Sequence, residues 1–300
     1  MPSPIEVILV PTIMILFGVF LKHVGFLRRE DRELLSKIVL YIALPAMIFM
    51  NLKDADISPG MAYLPILGII TSVILLAIAY LYCRANGYSK RTTWTIMIAA
   101  SIMNTGFIGF PVTMGVFGDI GFLHAVFYDL STSTLVILYG MILAKEFGGD
   151  AKQVLKKALL FMPVWGVIFG LIFNFFDIPL FYVAESILDY FAQATIPLIM
   201  LALGLSLDFR NIRDNIKDSL VVSFIKLAVA PGIIFALLSL LNIKGMAFNI
   251  ALIEAGMSTA GNALVLAIDY GLDADLMGSI IFTNVVLSVF SLTAIISFLT

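Results

Sequence analysis

Residues 61–83, MAYLPILGIITSVILLAIAYLYC, contain no charged side chain. About 20 mostly apolar residues in a row are enough for a helix to cross the hydrocarbon core of a bilayer. No water is available there, so a spanning segment must satisfy its own backbone N–H and C=O groups. The pattern recurs. Ten such segments lie near residues 5–22, 34–52, 61–83, 92–117, 120–144, 156–175, 182–207, 217–241, 246–270 and 275–298. Their connections are short and leave no room for a soluble domain. Composition agrees: 61% of the 300 residues are hydrophobic and 13% are charged, against roughly 45–50% and about 25% in an average soluble domain. The sequence predicts an all-α membrane protein with ten transmembrane helices.

Several functions are excluded on the same grounds. A net charge of −2 with no basic stripe gives nothing to track phosphates, so no nucleic-acid partner is expected. The single cysteine, Cys83, permits neither an internal disulfide nor a thiolate metal cluster. His23 and His124 are the only histidines, and their separation rules out an HExxH zinc site. GxSxG is absent. Tyr128-Asp129 has no second aspartate in a matching glycine motif on another helix. No enzyme activity, metal or cofactor is expected.

Lysines and arginines set the orientation. Of 18, 15 fall in or beside the loops after spans one, three, five and seven, Arg29, Arg210 and Arg213 among them; Lys53 and Lys244 lie on the opposite side and Lys226 lies inside a span. The basic loops are then cytoplasmic and both termini extracytoplasmic. The first apolar run has no basic residue before it and Lys22 after it. A secretory signal has the reverse order, so residues 5–22 are expected to remain as a span.

The two halves of the chain echo each other. At an offset of 152, Pro11 falls on Pro163, Phe17-Gly18 on Phe169-Gly170 and Leu44-Pro45 on Ile196-Pro197. At 154, Met103-Asn104-Thr105-Gly106 falls on Met257-Ser258-Thr259-Ala260, and at 155 Phe127-Tyr128-Asp129 falls on Phe282-Thr283-Asn284. The chain divides into a first five-helix repeat, 1–150, and a second, 151–300. Five is odd, so the second repeat enters the membrane from the other face. Secondary transporters use this inverted plan.

Spans four and nine are both interrupted. Gly106, Gly109 and Pro111 weaken the first; Gly256 and Gly261, with Ser258 and Asn262, weaken the second. Irregular backbone at membrane depth persists only where it is buried in protein or lines a wet cavity. Paired interruptions in matching places of two halves mark a substrate site. The free N–H groups of one half-helix attract anions, and the free C=O groups of another attract cations. Asn104, Thr105 and Gly106 with Ser258, Thr259 and Asn262 are the candidate binding residues.

The chain resembles the auxin efflux carrier family, which includes plant PIN-type and bacterial malonate-type carriers. The resemblance runs through LYIALPAMIF (40–49), NTGFIGFP (104–111), IPLIMLALGLSL (196–207) and STAGNALVLAIDYG (258–271). The family is similar in fold to bile acid:sodium symporters. The resemblance implies two inverted repeats, a scaffold of helices 1, 2, 6 and 7 that often dimerises, and a transport core of helices 3–5 and 8–10. Broken helices four and nine would cross in that core. It further implies elevator-like alternating access for small organic anions across the cell membrane. Ser258 stands where many relatives carry proline.

Four polar residues approach one level of the bilayer. At a rise of about 1.5 Å per residue, Asn104, Asp129, Lys226 and Glu254 are each roughly 12–20 Å deep. Ionisable residues at that depth are functional candidates by default. Lys226 is either a counter-charge for a substrate carboxylate or a structural partner of Asp129 or Glu254. Asp129, Glu254 and Asn284, the repeat counterpart of Asp129, are candidates for coupling to Na⁺ or H⁺. Glu254 precedes Ser258 by one helical turn, which puts both on one face. Glu185 and Asp189 suit the dipole at the start of span seven. The expected function is secondary transport of a small organic anion, with a cation-coupled symporter of bile-acid type as the alternative. Channel and receptor readings remain, and saturable exchange separates a carrier from a channel.

Overall fold

Glycine and proline punctuate the helices of this chain, and the fold follows their placing. The computed structural model describes residues 4–28, 30–206 and 215–300; Arg29, Arg210, Arg213 and the last residue of the 196–207 motif lie outside the described residues. All regular structure among them is helical: α1 (Pro4–His23), α2 (Asp31–Lys53), α3 (Leu64–Asn86), α4 (Lys90–Ser101), α5 (Phe110–Phe147), α6 (Ala151–Leu159), α7 (Met162–Phe175), α8 (Tyr182–Ser206), α9 (Ile216–Leu240), α10 (Met246–Ala255), α11 (Gly261–Asp269) and α12 (Ala274–Leu299). The one bridge between extended residues pairs Met103 with Thr259.

Among the described residues, six segments are long and apolar enough to cross a membrane, or seven if α6 and α7, bent by 49°, are taken as one span. The sequence predicts ten. Span one enters that count only as the shorter apolar helix Leu9–His23, and the rest of the difference lies at bends and interruptions. Span four stops at Ser101, so α4 has 12 residues. Span nine is divided into α10, of 10 residues, and α11, of 9. None reaches the roughly 20 residues that a span needs. Conversely, α5 joins the end of span four to span five through Gly118, whose φ of 62° and ψ of −153° are not helical. Glycine adopts this conformation without the Cβ clash that other residues meet there.

Local signals set the ends. Ser89 caps α4 by accepting from the Thr92 N–H at 3.2 Å, and Asp273 caps α12 by accepting from the Leu276 N–H at 3.0 Å. Gly87 ends α3 in the left-handed region, φ 67°.

The chain forms two compact units, one of residues 1–8, 59–155 and 208–300, the other of residues 9–58 and 156–207. In the second unit, backbones approach closely at glycines. A Cβ on Gly18 would lie 3.1 Å from the Gly204 Cα and 2.8 Å from the Leu201 carbonyl oxygen. A Cβ on Gly170 would lie 2.7 Å from the Leu52 Cβ and 3.5 Å from the Phe49 Cα. These are the same contacts 152 positions apart: Gly18 and Gly170 correspond, as do Gly204 with Leu52 and Leu201 with Phe49. The offset read from the sequence therefore recurs in packing. Polar contacts close the other end of this unit. Lys53 pairs with Asp54 and, at 3.1 Å, with Glu185 in the first turn of α8. The Asn174 amide donates to the carbonyls of Ala55, at 2.8 Å, and Lys53, at 3.3 Å.

Gly204 admits no side chain, because a Cβ there would lie 2.2 Å from the Ile15 carbonyl oxygen. Backbone cannot swing aside as a side chain can. Gly204→Val is expected to cost about 1–3 kcal/mol through overpacking, read as a lower thermal midpoint of purified protein. Gly232, which has no atom within 4 Å of its would-be Cβ, is the control: Gly232→Ala should leave the midpoint unchanged or raise it.

Candidate functional site

A helix that stops inside a membrane strands its last carbonyls and the first N–H groups of whatever follows. In the first unit, α4 stops at Ser101 and Ile102 turns extended, with φ −89° and ψ 118°. On the other side, α10 ends at Ala255, and Ala260 is extended before α11 begins. The two extended stretches run antiparallel and bond to each other. The Asn104 N–H donates to the Ser258 carbonyl at 2.8 Å, and the Ala260 N–H donates to the Ile102 carbonyl at 3.3 Å.

Two carbonyls in the last turn of α4 are met by side chains from the second half. Thr259 Oγ1 donates to the Ala99 carbonyl at 2.7 Å. Lys226 Nζ donates to the Ala100 carbonyl at 3.2 Å. Lys226 is fully buried, and the negative end of the α4 dipole is a favourable place for its charge. It forms no ion pair with Asp129 or Glu254, so the structural pairing considered for it from sequence is not the one found. Ser101 Oγ turns back to the Met97 carbonyl at 2.7 Å and accepts from the Tyr139 hydroxyl at 2.8 Å.

Beyond the bridge the first strand re-enters helix through a π-turn, Thr105–Gly109, in which the N–H groups of Ile108 and Gly109 both reach the Asn104 carbonyl. Neither this turn nor α11 has a side-chain cap. Helix starts without a side-chain cap suit an anion. The Asn104 amide bonds to no protein group though the residue is 4% exposed, and Asn262 is exposed at the start of α11. Ser258 is buried with its hydroxyl unpartnered.

Gly109 serves a close approach. A Cβ there would lie 2.2 and 2.5 Å from the two carboxylate oxygens of Glu254. Glu254 is fully buried, and neither oxygen has a hydrogen-bond partner. Because α10 ends at Ala255, Glu254 and Ser258 do not share a helical face as their spacing suggests. Asp129 is half-buried; it accepts from Thr105 Oγ1 and, at 3.1 Å, from Ser133 Oγ. Asn284, buried, donates from Nδ2 to Thr259 Oγ1 at 2.7 Å. Thr105 and Thr259 are 154 positions apart and Asp129 and Asn284 155, the offsets at which the two halves echo each other in sequence. The structure thus contains the same side-chain pair twice.

Asn104, Thr105, Ser258 and Thr259 meet at the bridge, with Gly106 and Asn262 on the flanking turns. Sequence reasoning missed the carbonyls of Ala99 and Ala100, the hydroxyl of Ser133 and the seat of Glu254 against Gly109. The break itself is a signal for the carbonyls, since a helix ending at depth needs donors from elsewhere. A cavity of about 540 Å³ lies in the other unit, lined by residues including Lys53, Asp54, Asp56, Asn174 and Asp177; no residue of the bridge borders it.

Comparison with known proteins places these features in a family. The profile of the family described as membrane transport protein matches residues 5–153 and 150–296. An uncharacterized transporter of Methanothermobacter thermautotrophicus is 37% identical over 289 residues, covering 96% of this chain and 95% of the relative. Another, from Methanocaldococcus jannaschii, is 35% identical over 293 residues, covering 95% of each. The resemblance to auxin efflux carriers read from sequence is the one the family profile shows, and these matches indicate a transport protein rather than an enzyme.

Thr259 ties the second half to the first by donating to Ala99, and it accepts from Asn284 within its own half. Thr259→Val removes both while keeping the shape. It is expected to cost about 1–3 kcal/mol by leaving buried groups unpartnered, read as a lower thermal midpoint that Thr259→Ser restores.

Proposed function

We propose that this chain, which belongs to the membrane transport protein family, is a secondary transporter that carries a small organic anion across the cell membrane. The carrying observation is the antiparallel bridge between Met103 and Thr259. It sets two uncapped helical starts, at Thr105 and Gly261, beside each other. Their N–H groups and the free Asn104 and Asn262 amides offer donors to a carboxylate. Thr105, Gly106, Ser258 and Thr259 complete the site, and Lys226 places a positive charge behind it.

On this reading the chain has ten spans in two inverted five-helix repeats, 1–150 and 151–300, with spans four and nine broken and crossing. The recurrence of contacts supports it: Gly18 with Gly204 and Gly170 with Leu52 in one unit, Thr105 with Asp129 and Thr259 with Asn284 in the other. The unit that holds the bridge moves by elevator-type alternating access, and scaffold helices 1, 2, 6 and 7 form a homodimer. Both termini lie outside the cell membrane, as the basic loops direct. One observation favours a second reading, symport with a cation: Glu254 keeps two unpartnered carboxylate oxygens beside the bridge, and such a group calls for a proton or Na⁺.

Purified protein screened for thermal stabilisation by malonate, other dicarboxylates, indole acids and amino-acid-like anions, with and without Na⁺, tests the assignment. A ligand at a hundred times its Kd stabilises by about 2.7 kcal/mol, a readable rise in midpoint. At least one carboxylate is expected to stabilise the wild type. Asn104→Ala and Asn262→Ala should lose that response, and the matching uptake in proteoliposomes, with ligand-free midpoints near wild type. A full response in both variants would move the site away from the bridge.

A further inference from the structure

The repeated pair is not symmetrical in its chemistry. In the second half, Asn284 donates to Thr259 Oγ1 and leaves the Thr259 hydroxyl hydrogen free to reach the Ala99 carbonyl, in the last turn of α4. In the first half, Thr105 instead gives its hydrogen to Asp129. The position corresponding to Ala99 is Ile253, in the last turn of α10. Its carbonyl accepts only a backbone N–H, from Gly256 at 3.1 Å, and a carbonyl can accept twice.

The surroundings of Asp129 are uncharged but for one group. From α10 comes Glu254, whose carboxylate lies against Gly109 of the same π-turn whose Gly106 lies near Asp129 Oδ1. The π-turn contributes Thr105 and Gly106, and α3 brings Gly68 against the neighbouring Tyr128 and Ser131. Tyr128 is turned to the Met103 sulfur at 3.5 Å. Lys226 is committed to Ala100, and no cation reaches Asp129 among the described residues. Two carboxylates on one turn at this depth, with no cation between them among the described residues, do not both stay ionised. Both hydroxyl donors go to Asp129 and none to Glu254, so the negative charge of the pair rests on Asp129.

We propose that Asp129 is a proton-binding site, and that the proton switches the Thr105 hydroxyl from Asp129 to the end of α10. This rests on the transport reading above. A proton from water adds to Asp129 Oδ1. The new carboxyl O–H then donates to Thr105 Oγ1, as the Asn284 amide donates to Thr259. The Thr105 hydroxyl hydrogen leaves Asp129 and bonds the Ile253 carbonyl, as Thr259 bonds Ala99. No covalent bond breaks other than the one that delivered the proton. Ionised, the two halves of the bridge differ by one bond; protonated, they match. The half-helix ends that hold an anion are thereby tied to the proton, and Asn284 is a fixed copy of the protonated state.

Infrared difference spectra of purified protein in lipid nanodiscs, taken between alkaline and acidic buffer, read this without any substrate. The wild type is expected to gain a protonated-carboxyl C=O band. Asp129→Asn should abolish it, Glu254→Gln should keep it, and Asn284→Asp should add a second titrating carboxyl. Ser133→Ala removes one donor to the charged form and should raise the titration midpoint by roughly one pH unit. It decides the matter if Asp129→Asn does not fold. A band that survives Asp129→Asn, one removed by Glu254→Gln alone, or an unmoved midpoint in Ser133→Ala overturns the assignment. Transport reading and proton site fail separately, since uptake is measured in proteoliposomes and protonation in the unliganded protein.

Discussion

Backbone groups freed inside a bilayer have to be paired, and the rest of the first unit is arranged around that requirement. Each unpartnered N–H or C=O in hydrocarbon costs several kcal/mol. An interruption at Ser101 alone would be untenable, as would one at Ala255. Together they supply each other. Ile102 and Asn104 bond across to Ala260 and Ser258, and the α4 carbonyls of Ala99 and Ala100 are met by Thr259 and Lys226. A buried lysine, which looks like a ligand for substrate in the sequence, turns out to complete a helix end.

Several contacts recur at a nearly fixed offset between the two halves of the chain. Gly18 lies against Gly204 and Gly170 against Leu52, the same meeting made twice with one side chain changed. Thr105 meets Asp129 and Thr259 meets Asn284 in the same way. Where two copies of one arrangement differ, the difference isolates what has been altered, here a carboxylate for an amide. Packing positions keep their geometry in both copies. The polar position keeps its geometry and changes its chemistry.

The membrane class, the helical content and the positions of both breaks were legible from apolar runs and from glycine, serine and asparagine inside them. The pairing of Met103 with Thr259 was not, since the offset of 154 sets Met103 on Met257 and does not say which residues bond across. The division near Gly118 was legible too: its φ of 62° and ψ of −153° leave helical geometry between the segments read as 92–117 and 120–144. Side-chain partners were the least legible. Lys226 reaches Ala100 across 126 positions, and a backbone carbonyl carries no residue-type signature. Glu254 and Ser258 seemed to share a face only because the helix was assumed to continue past Ala255. Glu185 was read as a dipole partner and also holds Lys53.

The completion of α4 by distant residues has a consequence for biosynthesis. Its final carbonyls bond to partners 126 and 160 positions further along the chain. A ribosome adds roughly 5–20 residues per second. For many seconds, then, the nascent first half holds an open helix end while its donors have yet to be made. The newborn chain must shelter that end by other means, through lipid headgroups, water or the insertion machinery, until the latecomers arrive.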